Sequence, residues 1–173
     1  RWSKQYRASE TDDIEAMNNL IEWLPKNIPD DDETSIVHGD YRLDNMILKN
    51  NNVMGILDWE LSTLGHPIAD FSYHCLSWRT QEAFWDQARL KELGVPSEKE
   101  YMNMYCENTG KDLSKNWEFY MAFNMFKIAG ILQGILGRVR DGTAASKHAE
   151  DRGMMVYPLS EAAWSTIEKN FLK

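Results

Sequence analysis

A chain of 173 residues is long enough to bury a core of its own without disulfide or metal staples. Its formal charge of −8 argues against general nucleic-acid binding, which needs a basic stripe to neutralise phosphates. The two cysteines, Cys75 and Cys106, have neither CxxC spacing nor a dense framework around them and read as reduced thiols of a reducing compartment.

The first twenty residues are charged throughout, unlike an export leader, so a cytoplasmic location is the default expectation. The opening RWSKQY lacks an initiator Met, as a fragment or processed product would. Asp12 and Asp13 suit a helix N-terminus, and Ile14, Met17, Leu20, Ile21 and Leu24 recur at helical spacing, which predicts a helix over residues 11–24. Pro25 and Pro29 end it, and the acidic run of residues 30–33 reads as a hydrated loop rather than a metal site. SIVH predicts a short strand. NMILK and VMGILDW predict two antiparallel strands joined at Asn50–Asn52.

After Pro67 the pattern turns helical. TQEAFWDQARLKEL predicts a helix over residues 80–93 closed by Gly94. Ser97 with Glu100 predicts a capping box ahead of a helix stopped by Gly110. A long helix follows from Asn116 to Arg140. It is the only membrane candidate, yet Glu118, Asn124, Lys127 and Gln133 interrupt it, so it reads as a buried core helix without a membrane partner. Its Gly130 and Gly134 predict a close crossing with another helix. The loop DGTAAS and a final helix in LSEAAWSTIEKNFL complete an α+β, predominantly helical chain with a small β-hairpin.

Two polar runs stand at the ends of that hairpin: HGDYRLDN, residues 38–45, and the tail of GILDWE, residues 55–60. Asn45 starts the first strand and Asp58 ends the second, so both belong to the same end. Phosphoryl transfer asks for a group to take the attacking hydroxyl's proton, oxygen ligands for Mg²⁺, and fixed geometry. Asp40, Asn45 and Asp58 are residues of those types. Taken singly, each has a plainer reading: HGD as a turn, His38 as a hydrogen-bonded structural histidine, Asp58 as a turn cap, Glu60 as a solvated acid. A zinc site of His38, His66 and His74 lacks a cysteine or a helical His pairing at ligand spacing. A glycosidase using two of Asp40, Asp58 and Glu60 depends on a carboxylate separation that sequence does not give.

HGDYRLDN followed by ILDWE resembles the aminoglycoside phosphotransferase family, relatives of the protein kinases, and is most similar to kinase-like domains of acyl-CoA dehydrogenase family proteins. Gly39 stands where protein kinases carry arginine, and Trp59-Glu60 where they carry Phe-Gly. The resemblance implies the C-terminal lobe of a protein-kinase-like fold. It implies Asp40 as catalytic base, His38 as an orienting residue, Asn45 and Asp58 as Mg²⁺ and cofactor-binding residues, and ATP as phosphate donor. Within LSTLGHPIADFSY it makes Asp70 a buried brace of the catalytic loop. Residues 1–37 contain no glycine and no lysine-bearing strand, so the N-terminal nucleotide lobe is expected to lie outside this chain. The expected substrate is a small-molecule hydroxyl. Arg138, Arg140, Lys147, His148 and Arg152 favour an anionic one such as a hydroxyacyl-CoA, although Asp141, Glu150 and Asp151 interleave with them. An aminoglycoside acceptor and a non-catalytic, pseudokinase-like module are the alternatives.

Overall fold

The computed structural model describes residues 1–31, 33–80 and 87–172. In chain order they form helices α1 (Trp2–Ser9) and α2 (Glu15–Trp23), strands β1 (Ser35–Val37), β2 (Met46–Lys49), β3 (Asn52–Ile56) and β4 (Thr63–Gly65), then helices only. These are α3 (Pro67–Cys75), α4 (Ser77–Thr80), α5 (Gln87–Glu92), α6 (Glu98–Thr109), α7 (Trp117–Arg140), α8 (Ala149–Met154) and α9 (Val156–Phe171). The chain divides into two compact units, one of Arg1–Pro29 with Met121–Lys173, the other of Asp30–Tyr120.

The first unit is all helical. Val156, Leu159, Ala163 and Ile167 fall on one face of α9 and are buried there, the spacing that amphipathic packing requires. Ala16, Met17 and Leu20 are the buried residues of α2. The rings of Trp23 and Phe171 lie 5.2 Å apart. α1 is absent from the sequence expectation, and the helix expected over residues 11–24 begins only at Glu15. Both differences have one cause: the run from α1 to α2 is fixed by tertiary contacts. Tyr6 is fully buried, and Gln133 donates to the Ser9 carbonyl at 2.7 Å and to Thr11 Oγ1 at 3.0 Å.

The close crossing expected at Gly130 and Gly134 is present at the first only: a Cβ on Gly130 would lie 3.7 Å from the Trp2 carbonyl oxygen of α1, and the tighter approaches lie further along. A Cβ on Gly134 would meet only its own helix's Arg138, at 3.9 Å. One on Gly137 would stand 3.2 Å from the Ser9 carbonyl oxygen, and one on Gly153 3.0 Å from Leu136. α7 is long and apolar enough to cross a membrane by length and composition, contrary to the sequence expectation, but 67% of that window is buried within the protein. Core helices have that property.

The second unit carries both small sheets. β1 pairs with β4, a strand absent from the sequence expectation, and β2 pairs with β3 in the predicted hairpin. Asn50 and Asn51 both adopt positive φ (51° and 61°), the left-handed pair that matches the twist of a two-residue hairpin loop. α3 starts at Pro67, with His66 Nδ1 accepting from the Ile68 amide at 3.2 Å. Residues 81–86 of the helix expected over 80–93 lie outside the described residues. Its C-terminal part is α5, and Gly94 closes it at φ 76° as expected. The capping box of Ser97 and Glu100 is present, and Gly110 ends α6 at φ 70°. Arg79 joins α4 to α6 and α7 by donating to both Glu98 and Glu118 at 2.6 Å.

Candidate active site

The run after β1 cannot continue as a strand, because Gly39 turns the chain at φ +84°. A Cβ there would sit 2.5 Å from the Leu61 carbonyl oxygen. Arginine, the residue of the protein-kinase motif, has no room at this position, so the glycine is dictated by backbone packing.

α3 holds this turn from below. Asp70 accepts the backbone amides of both His38 and Gly39, the latter at 2.8 Å. The expected brace is there, though Asp70 is half-buried rather than fully buried. Charge-assisted bonds of this kind contribute about 1.5–3 kcal/mol each. His38 is buried at 3% exposure. Its Nδ1 accepts from the Asp40 amide at 3.2 Å, so Nε2 carries the hydrogen and donates to the Leu57 carbonyl at 2.7 Å. The imidazole therefore ties the loop of Asp40 to the end of the hairpin.

Asn45 lies in a 3-10 turn at the start of β2. Its Nδ2 donates to Asp40 twice, to the backbone oxygen and to Oδ2, both at 2.9 Å. Two acceptors on that side fix the amide's orientation: the NH₂ end faces Asp40 and Oδ1 is turned away from it. The Asn45 carbonyl accepts from the Leu57 amide at 2.8 Å, one pair beyond Met46↔Ile56, so the two chain ends meet as the register predicts. The next residue, Asp58, is exposed and holds φ 63°, ψ 56°. Left-handed backbone is uncommon for a residue with a Cβ and clusters where function requires it. Asp58 occupies the N-cap of the turn Trp59–Leu61, yet its side chain makes no capping hydrogen bond, which removes the plainer reading of that carboxylate.

An amide oxygen and a carboxylate on adjoining loops fit Mg²⁺, which takes hard oxygen ligands, commonly one or two from protein, and completes its shell with phosphate and water. No group of three or more His, Cys, Asp or Glu gathers among the described residues. His38, with both ring nitrogens committed to backbone groups, is not available to zinc. His66 lies 3.2 Å from Asp31 and stacks on Tyr120; His74 packs between Tyr41 and Tyr101.

Two residues at the site escaped the sequence reading. Tyr73 donates its phenol hydrogen to Asp40 Oδ1 at 2.6 Å; burial and the Asp40 carboxylate push its ionisation far above the ordinary phenol range. The signal for it was helical spacing, since Tyr73 follows Asp70 by three residues and shares its face of α3. Arg42 stands 3.8 Å from Asp40 Oδ2 and 3.1 Å from Asp44. A cation inside HGDYRLDN was visible in sequence, but nothing there distinguished it from a solvated charge.

A loop aspartate bonded to an asparagine, a second aspartate at the facing end of the hairpin and a helix bracing both define a kinase-like phosphotransferase fold. The chain belongs to the phosphotransferase enzyme family (APH), whose family model matches residues 1–104. It is 44% identical to acyl-CoA dehydrogenase family member 10 of Mus musculus over 97% of this chain and 16% of that protein. It is 38% identical to acyl-CoA dehydrogenase family member 11 of Homo sapiens over 98% of this chain and 23% of that protein. A crystal structure from Ralstonia eutropha JMP134, provisionally described as an aminoglycoside phosphotransferase, matches with a TM-score of 0.89 and 49% identity. That match covers 98% of this chain and 54% of the other. The chain thus spans less than a quarter of those two relatives and about half of the solved one.

Proposed function

We propose that this chain is the acceptor-side lobe of an ATP- and Mg²⁺-dependent phosphotransferase that moves the γ-phosphate to a hydroxyl of a small molecule. Asp40 takes the hydroxyl proton as the acceptor oxygen bonds to the γ-phosphorus. The bond from that phosphorus to the bridging oxygen breaks, and ADP leaves with the electron pair. Asn45 Oδ1 and the Asp58 carboxylate are the groups that would hold Mg²⁺. When bound, the ion neutralises charge on the phosphate oxygens. His38 orients the loop through its two backbone bonds. The observation that carries the reading is Asn45, whose side-chain amide donates to Asp40 and whose backbone carbonyl accepts from Leu57, the residue before Asp58.

The nucleotide lobe, on this proposal, lies outside these residues. In support, Trp2–Ser9 and Glu15–Trp23 form α1 and α2 rather than a lysine-bearing strand. Also in support, Ile47, Leu48, Val53, Met54 and Leu57 of the hairpin are 48–63% exposed, an apolar surface of the sort a second lobe and a flat base would cover.

For the acceptor we propose an anionic alcohol such as a hydroxyacyl-CoA, on two grounds: the names of the acyl-CoA dehydrogenase relatives and the basic run ending at Arg152. That run is partly neutralised, since Arg140 pairs with Asp141 at 3.0 Å and His148 lies 4.0 Å from Asp151. The description of the solved neighbour favours an aminoglycoside instead. Transfer to hydroxyacyl thioesters but not to kanamycin supports the first reading, and the reverse result replaces it. In the protein carrying both lobes, Asp40→Asn should abolish transfer and leave ATP binding nearly intact, whereas Asp58→Ala should remove Mg²⁺-dependent nucleotide binding in titration calorimetry. No ATP consumption by the unaltered protein would leave a binding module.

A further inference from the structure

α3 touches the Asp40 loop twice from one face. Asp70 takes the amides of His38 and Gly39, and Tyr73, one turn further on, reaches the Asp40 carboxylate itself. The carboxylate is thereby held from two sides by separate elements: Oδ1 by the phenol at 2.6 Å and Oδ2 by the Asn45 amide at 2.9 Å. A donor on one oxygen alone leaves a carboxylate free to turn about its Cβ–Cγ bond. Donors on both oxygens fix the plane, and with it the direction of the lone pairs that remain.

We propose that Tyr73 is a positioning residue for phosphoryl transfer: its hydroxyl fixes the Oδ1 edge of Asp40 so that the carboxylate meets the incoming hydroxyl in a single orientation. The inference rests on the reading of Asp40 as the proton acceptor. Tyr73 suits a permanent donor, because burial and its acidic neighbours Asp40 and Asp70 keep the phenol protonated against the opposing pull of Arg42. It is half-buried on a helix whose start is fixed by Pro67 and His66, so the hydroxyl approaches from a rigid support rather than from a loop.

Tyr73→Phe keeps every carbon of the ring and removes only the donor. The experiment uses the protein carrying both lobes and follows ADP release from Mg-ATP with water as acceptor, so it does not wait on the identity of the alcohol. The expected result is a kcat lower by about 10- to 100-fold, the scale on which misorientation of a reacting group acts. The Mg-ATP KM and the thermal midpoint should stay close to those of the parent. An unchanged kcat overturns the proposal, as does a loss that vanishes once rates are corrected for folded protein. Asp40→Glu keeps a carboxylate but moves it off the Tyr73 hydroxyl, and the double variant Asp40→Glu/Tyr73→Phe then separates this proposal from the reading beneath it. If Tyr73 acts through Asp40, the double variant is no slower than Asp40→Glu alone, and additive losses overturn the proposal. Full activity in Asp40→Asn overturns the role of Asp40 and this inference with it.

Discussion

Gly39 decides whether the loop of Asp40 can close. Its φ of +84° and the 2.5 Å that would separate a new Cβ from the Leu61 carbonyl act together, so neither rotation nor a small shift relieves both. Gly39→Ala should therefore destabilise the protein by about 2–5 kcal/mol, adding left-handed strain to overpacking, as read by urea unfolding. A cost under about 0.5 kcal/mol would mean that the loop relaxes freely and that its contact with residue 61 is incidental. The glycine was legible in the sequence as a departure from the kinase motif, but its reason was not. The clash partner lies 22 positions away and makes contact only once β1 and β4 have paired. Tyr73 escaped for the same reason, since its partner is 33 residues distant and a tyrosine on a helix face looks like ordinary packing.

At the scale of elements, what the sequence announced was local chemistry. The capping box of Ser97 and Glu100, the left-handed stops at Gly94 and Gly110 and the asparagine turn at 50–51 are each written within a few residues, and each is present. What it concealed depends on partners. α1 has little apolar content and persists through Tyr6 and its contacts with Gln133 and Gly137. β4, three residues long, exists only as the mate of β1.

Arg79 is the clearest such long-range element tie. Its guanidinium serves two carboxylates at once, and Trp117 Nε1 adds a bond to Glu98 at 2.7 Å. Arg79→Ala leaves two partly buried acids facing each other without their cation, and should cost about 3 kcal/mol in chemical denaturation. If the loss stays below about 1 kcal/mol, packing holds these helices instead, as where the Trp78 ring of α4 stacks on Tyr101 of α6 at 5.2 Å.

For the molecule as a whole, the exposed aliphatic hairpin is the surface on which the proposed second lobe would rest. The groups proposed to bind the metal and to receive the proton are all present, while the surface beside them faces water. On the proposal of a separate nucleotide lobe, the 173 residues alone should bind Mg-ATP weakly and release ADP at least about 100-fold more slowly than a protein carrying both lobes, because that lobe would supply half of the phosphate contacts. Equal turnover by the two would show that no second lobe is needed. The closeness of the Gly39 peptide to the Leu61 carbonyl carries a mechanical consequence of its own. With no side chain between them to act as a cushion, the turn bearing Asp40 and the turn that follows Asp58 behave like meshed gears. Neither can swing open without driving the other, so the amide protons of residues 39 and 57 should exchange with solvent at a common rate, in one concerted opening.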